Sequence, residues 1–211
     1  MTMAAQSADT LSSPVSFHAS PAAEARRSMI DSQLRVSGVS DEAVLAAFAH
    51  VPREDFVPAA SRGHAYMDRA IALGGGRYLA APLVHGRMLG EAAARPDDKV
   101  LLVDGGSGYL AALLADMGIA AEVIAPETAA TAKAQRGDHT LLIIDGAIEH
   151  LPLGLVQNLA DGARVITGLV SRGVTRLASG RKIAGEVVLM PLADIGMPIL
   201  PEFAEPQGWS F

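Results

Sequence analysis

KVLLVDGGSGYLAA (residues 99–112) reads as a strand, a glycine turn and the opening of a helix. Lys99 to Val103 is an apolar run set off by the Pro96-Asp97-Asp98 turn, the pattern of a buried strand. Asp104-Gly105-Gly106-Ser107-Gly108-Tyr109 follows, and helical spacing then runs to about Met117, with Gly118 as the stop. Glycines at such a turn let the backbone approach a ligand closely, and the helix start offers free N–H groups to a polar or anionic group. Taken alone, the turn is as readily simple turn chemistry. Its place after a first buried strand points to a nucleotide-type cofactor.

Downstream the alternation continues. Ala121 to Ala125 is a second strand, and Pro126 with Glu127 opens a helix predicted to run to Arg136 and close at Gly137. Thr140 to Ile144 is a third strand ending at Asp145-Gly146. Pro152 to Leu159 is helical, Asp161-Gly162 turns, and Arg164 to Val170 is a strand. Val174 to Ala178 and Glu186 to Met190 read as antiparallel additions, with turns at Ser171 to Gly173 and at Ser179-Gly180. Strand–helix alternation ending in a meander implies an α/β fold, a doubly wound, mostly parallel sheet with antiparallel C-terminal edge strands.

Upstream of Pro96 the period is helical. A helix is expected from Pro21 to Leu34, burying Met29, Ile30 and Leu34, and a second is capped by Ser40 with Val44, Leu45 and Phe48 inside. Arg53 to Pro82 is expected to be mostly irregular, and Leu83 to Ala94 is helical again. Residues 1–20, rich in Ser, Ala and Thr, read as a disordered tail. Residues 21–211 are expected to form one domain, with 21–94 a helical and irregular segment packed across the sheet and 95–211 the cofactor-type α/β core.

Composition closes off several functions. With 211 residues, 50 % hydrophobic but only 4 % aromatic, the core is built from Ala, Leu, Val and Ile. A formal net charge of −6 provides no basic field for nucleic acid. The apolar region from Val100 to Ala125 is broken by Asp104, Asp116 and Glu122, so no membrane span is expected. No cysteine is present, which removes disulfides, thiolate metal sites and thiol catalysis and fits a reducing, cytoplasmic setting. His18, His50, His64, His85, His139 and His150 show no metal-type spacing, so no metal is expected and they are read as surface or partly buried structural residues. Ser107 lacks the spacing of a hydrolase nucleophile elbow.

The wider pattern is more specific. MIDSQL (29–34), VPREDFVP (51–58), AYMD (65–68), GSGYLAA (106–112) and LPEF (200–203) stand in the order found in protein-L-isoaspartate O-methyltransferases, and the chain resembles that family from about Arg26 to Phe203. VPREDFVP is the most diagnostic segment, because no generic α/β domain requires it. The resemblance implies a methyltransferase of the S-adenosylmethionine type, with methyl transfer to the α-carboxylate of isoaspartyl residues in damaged proteins or peptides. It places Asp104, Gly105, Gly106, Ser107, Gly108, Tyr109 and Asp145 at the cofactor.

Four departures from the family pattern stand out. Its Ser-Gln-Pro stretch at the substrate mouth is Ala80-Ala81-Pro82 here, so the position of its active-site serine is Ala80 and no catalytic residue is assigned. Leu102 replaces the acid that usually ends the first strand, and Asp104 replaces the first loop glycine. Facing a ligand carboxylate at ~4 Å, Asp104 would meet a repulsion of roughly 4 kcal/mol; facing the ligand's ammonium group it would attract; a solvated turn aspartate is the third reading. Ala125-Pro126 stands where an acid should bond the ribose hydroxyls, with Glu127 displaced onto the helix. Finally, Pro126 to Thr140 holds one crossover of about a dozen residues, so one crossover unit of the family is missing. Two outcomes follow: a family methyltransferase with weakened transfer, or a non-catalytic binding or assembly module. Loss of the unit leaves Ala121–Ala125 at a sheet edge, expected to be covered, with the helix Pro126–Arg136 beside it, by a second copy, simplest as a symmetric homodimer, or by the N-terminal tail. A nicotinamide-dependent oxidoreductase lacks the second-strand acid and is set aside.

Overall fold

A computed structural model describes residues 20–133 and 137–205. The expected tail over residues 1–20 thus lies outside the described residues, save Ser20. Ser20 caps the first helix, α1 (Pro21–Met29), by accepting the N–H of Ala23 at 3.2 Å. The expected helix to Leu34 continues without a break but changes winding: Ile30–Leu34 is a π turn and Arg35–Ser37 a 3-10 turn, ended by Gly38 at φ +86°. Met29, Ile30 and Leu34 are buried in one cluster with Leu110, Leu141 and Ile166 of the later chain.

Helix α2 (Glu42–His50) is capped by Asp41, not Ser40. The Asp41 carboxylate accepts the N–H groups of Ala43 and Val44 at 2.9 and 3.2 Å, which places the cap one residue later. The stretch expected to be irregular contains a hairpin, β1 (Ile71–Gly74) with β2 (Arg77–Leu79). Its turn needs positive φ three times running, at Gly74, Gly75 and Gly76 (+97°, +58°, +78°), which is why the glycines are consecutive. Helix α3 (Pro82–Ala92) follows.

Strand β3 (Val100–Val103) leads through the glycine loop to α4 (Tyr109–Asp116). Next come β4 (Ala121–Ile124), α5 (Pro126–Ala130), β5 (His139–Ile148), α6 (Leu153–Gln157), β6 (Leu159–Ser171), β7 (Val174–Ile183) and β8 (Glu186–Asp194). The sheet order is β4-β3-β5-β6-β7-β8, parallel from β4 to β6 and antiparallel from β6 onward. Among the described residues β4 is the edge strand, as one missing crossover requires. In β3, Val100 and Leu102 join the cluster beneath α3 and α4, while Leu101 and Val103 join the opposite cluster with Ala129, Leu155 and Phe203. Burial on both faces accounts for its unbroken apolar run.

Two turns expected from glycines are not turns, and one strand runs past its expected end. Ser179-Gly180 lies mid-strand in β7, where a Cβ on Gly180 would fall 2.7 Å from the carbonyl oxygen of Val188; the glycine serves a close strand approach. Asp161-Gly162 is an irregularity within β6, where pairing with β5 shifts between His139 and Leu141. Strand β5 runs on through Asp145-Gly146 to Ile148. The helix expected over Pro126–Arg136 ends at Ala130, with residues 134–136 outside the described set.

Candidate functional site

The glycine loop folds onto its own aspartate. Asp104 accepts the N–H of Gly106 at 2.9 Å and that of Gly108 at 3.0 and 3.2 Å, so both carboxylate oxygens point into the loop. Gly106 and Gly108 take φ of +102° and +70°, the left-handed values that aim successive N–H groups at one point. Ser107 Oγ accepts the N–H of Tyr109 at 3.1 Å. Gly105 presses on β5, and a Cβ there would fall well under 3.0 Å from the carbonyl oxygen of Asp145. The seven residues assigned from the sequence, Asp104 through Tyr109 and Asp145, meet where β3 ends beside Asp145 of β5.

Asp145 is 4 % exposed, and its Oδ1 lies 2.8 Å from Nε2 of His85, which is fully buried on α3. This pair was not legible: the partners are 60 residues apart, and His85 carries no local signal. Burial, then the neighbouring Asp145 charge, raise the Asp104 carboxyl above the ordinary aspartate range.

VPREDFVP supplies the second half of the site. Its Arg53 is 0 % exposed, with Nε donating to the carbonyl of Ala65 at 2.7 Å and Nη2 donating to the carbonyl of Ala80. The guanidinium lies 5.1 Å from the Tyr109 ring centroid, and Phe56 and Phe48 meet the same ring edge-on at 5.1 and 6.1 Å. Burial pushes Arg53 down to about 10, so it stays a cation at neutral pH. One buried cation thus ties the Ala80 carbonyl, just before α3, to the first residue of α4. Ala80 itself is buried and brings only a methyl group.

A third set of residues lies across the loop. Arg77 of β2 donates to Glu202 at 2.6 and 3.2 Å and pairs with Glu127 at the start of α5. A Cβ on Gly106 would sit 3.1–3.3 Å from the Arg77 stem, so that stem covers the loop glycine. Glu127 faces Arg77, and Ala125 follows β4 as the residue before α5.

The chain matches the family profile Protein-L-isoaspartate(D-aspartate) O-methyltransferase over residues 24–134. A Protein-L-isoaspartate O-methyltransferase of Koribacter versatilis is 33 % identical over 80 % of this chain and 87 % of that protein. One from Methanoculleus marisnigri is 30 % identical over 92 % and 97 %. The chain belongs to the protein-L-isoaspartate O-methyltransferase family. A family structure from Plasmodium falciparum, a complex with S-adenosyl-L-homocysteine, shares the fold at a TM-score of 0.69 and 18 % identity, covering 84 % of this chain and 98 % of that one.

In this family member the donors of the glycine loop are engaged within the protein. The N–H groups of Gly106 and Gly108 are taken by Asp104, the Arg77 stem covers Gly106, and Ala125, the residue after β4, brings no acid. Among the described residues no set of three or more His, Cys, Asp or Glu side chains is grouped to hold a metal ion. No helix of the described residues is long and apolar enough to cross a membrane. Of the histidines read as structural, His139 meets Glu122 at 3.1 Å and His50 meets Asp116 at 3.1 Å, while His18 lies outside the described residues.

Proposed function

We propose that this chain is an isoaspartyl methyltransferase, acting on damaged proteins or peptides with S-adenosylmethionine, in which methyl transfer is strongly attenuated. The observation that carries the reading is Arg53. The most family-specific segment of the sequence places its cation where it holds both the Ala80 carbonyl and the Tyr109 ring, joining mouth and glycine loop. Attenuation rests on what surrounds that frame: Ala80 and Ala81 offer no side-chain hydrogen bond, and the loop donors are engaged internally. Two lost hydrogen bonds at about 1.4 kcal/mol each correspond to about a hundredfold in rate. With labelled S-adenosylmethionine and an isoaspartyl peptide, turnover is expected to be about a hundredfold below that of an intact relative. Turnover equal to the relative's would reject the attenuation, and transfer to an ordinary aspartyl peptide alone would reject the substrate.

A second reading, a binding or assembly module built on the same fold, is favoured by apolar surface at both sheet edges. Val123 on β4 is 48 % exposed. On β7 and β8, Ile183, Val188, Met190 and Leu192 line a groove of about 580 Å³ beside Glu91 and Arg164. A second copy of the chain is the proposed cover. Light scattering over a concentration range is expected to show a dimer that Val123→Lys weakens if β4 pairs, or Val188→Lys if the β7–β8 face does. A monomer at all concentrations removes this reading.

A further inference from the structure

We propose that Asp104 is an internal occupant of the cofactor cradle, its carboxylate standing in for ligand at the Gly106 and Gly108 N–H groups and so competing with adenosyl amino-acid ligands and weakening their binding. The inference rests on the family reading of the loop and adds how the loop is controlled. A glycine loop at the start of a helix offers converging N–H donors and the positive end of the helix dipole, and a carboxylate is the best acceptor for both. Here that carboxylate is covalently attached at the loop's first position, so its effective concentration far exceeds any free ligand's. Three loop contacts hold it, at 2.9, 3.0 and 3.2 Å.

Two neighbours add to this weakening. Asp145, although paired with His85, presses on the same loop at Gly105 and adds its field to that of Asp104. Arg77 lies with its stem on Gly106 and its head held by Glu202 and Glu127, closing the loop from the outside. Glu127 and Glu202 thereby engage the nearby cation on Arg77, leaving it neutralised. A ligand's ammonium group drawn to a remaining lone pair of Asp104 would make wild type the tighter binder, the opposite of what occupancy of the loop predicts.

The test is calorimetric titration of S-adenosylhomocysteine into the full chain, as wild type, Asp104→Gly and Asp104→Asn. The glycine variant removes the occupant; the asparagine variant keeps its shape and one acceptor but removes the charge, and serves if the glycine variant fails to fold. Thermal melting without ligand confirms that each variant folds. Both variants are expected to bind at least about tenfold more tightly than wild type. Wild type binding as tightly as the variants overturns the inference and leaves the family reading standing. Wild type binding more tightly also overturns it, since Asp104 would then contact the ligand's ammonium. If no protein binds, Asp104 is not the obstacle, and the proposal of S-adenosylmethionine as cofactor falls with the inference.

Discussion

Arg53→Met is expected to lower the unfolding free energy by about 4 kcal/mol. The side chain is fully buried, and its hydrogen bonds go to two backbone carbonyls, those of Ala65 and Ala80. Methionine fills similar volume, so little cavity is created, but both carbonyls lose their donor at ~1–3 kcal/mol each. The stacking over Tyr109 is lost as well, worth ~1–2 kcal/mol when desolvated. Relief from burying a cation offsets part of this, because among the described residues no carboxylate is paired with the guanidinium. Arg53→Lys keeps the charge but not the planar fork that spans two carbonyls, and is expected to cost about half as much. Urea unfolding of the three proteins measures the series. A methionine variant within about 1 kcal/mol of wild type would show that Ala65 and Ala80 find other donors, and that the motif is not the tie between mouth and loop.

That tie shows where sequence reading reached and where it stopped. The order of strands and helices from Lys99 onward was legible because glycine and proline punctuate each change of period, and because β3 is apolar on both faces. The edge position of β4 followed from counting residues between Ala125 and Thr140. What could not be read was tertiary. A charged residue inside VPREDFVP has no local mark that says it is buried, and charged residues are mostly exposed. His85 finds Asp145 only through the fold. Glycines misled where they serve packing instead of turning: Gly180 accommodates β8, and Gly146 accommodates Leu200, whose Cγ would lie 2.6 Å from an added Cβ. Ser40 and Asp41 are both good caps, and the choice depends on where the chain leaves Val39, which is buried. For Asp104 the sequence left three readings, and the structure supplies a fourth geometry: a carboxylate turned inward on its own loop.

Gly105→Ala is the second large effect expected, a loss of about 3 kcal/mol or more. Gly105 does not have a left-handed φ, so its requirement is purely steric. A Cβ there would collide with the carbonyl oxygen of Asp145 and would also lie 3.4 Å from Asp145 Oδ2. The carbonyl belongs to β5, which is held between β3 and β6 by parallel ladders, with Val103 paired to Ile144 immediately before it. Strand β5 cannot retreat without disturbing both neighbours, so the loop must lift, and overpacking against backbone sits at the upper end of the usual 1–3 kcal/mol range. Gly108→Ala makes the contrasting control: φ is +70° with nothing within 4 Å, so only backbone strain of about 1 kcal/mol applies. Denaturant unfolding should therefore rank Gly105→Ala well below Gly108→Ala. The reverse order would mean that the loop is fixed by its dihedral angles and that its contact with Asp145 is soft. The Asp104 carboxylate would then be free to swing away from the Gly106 and Gly108 N–H groups at little cost.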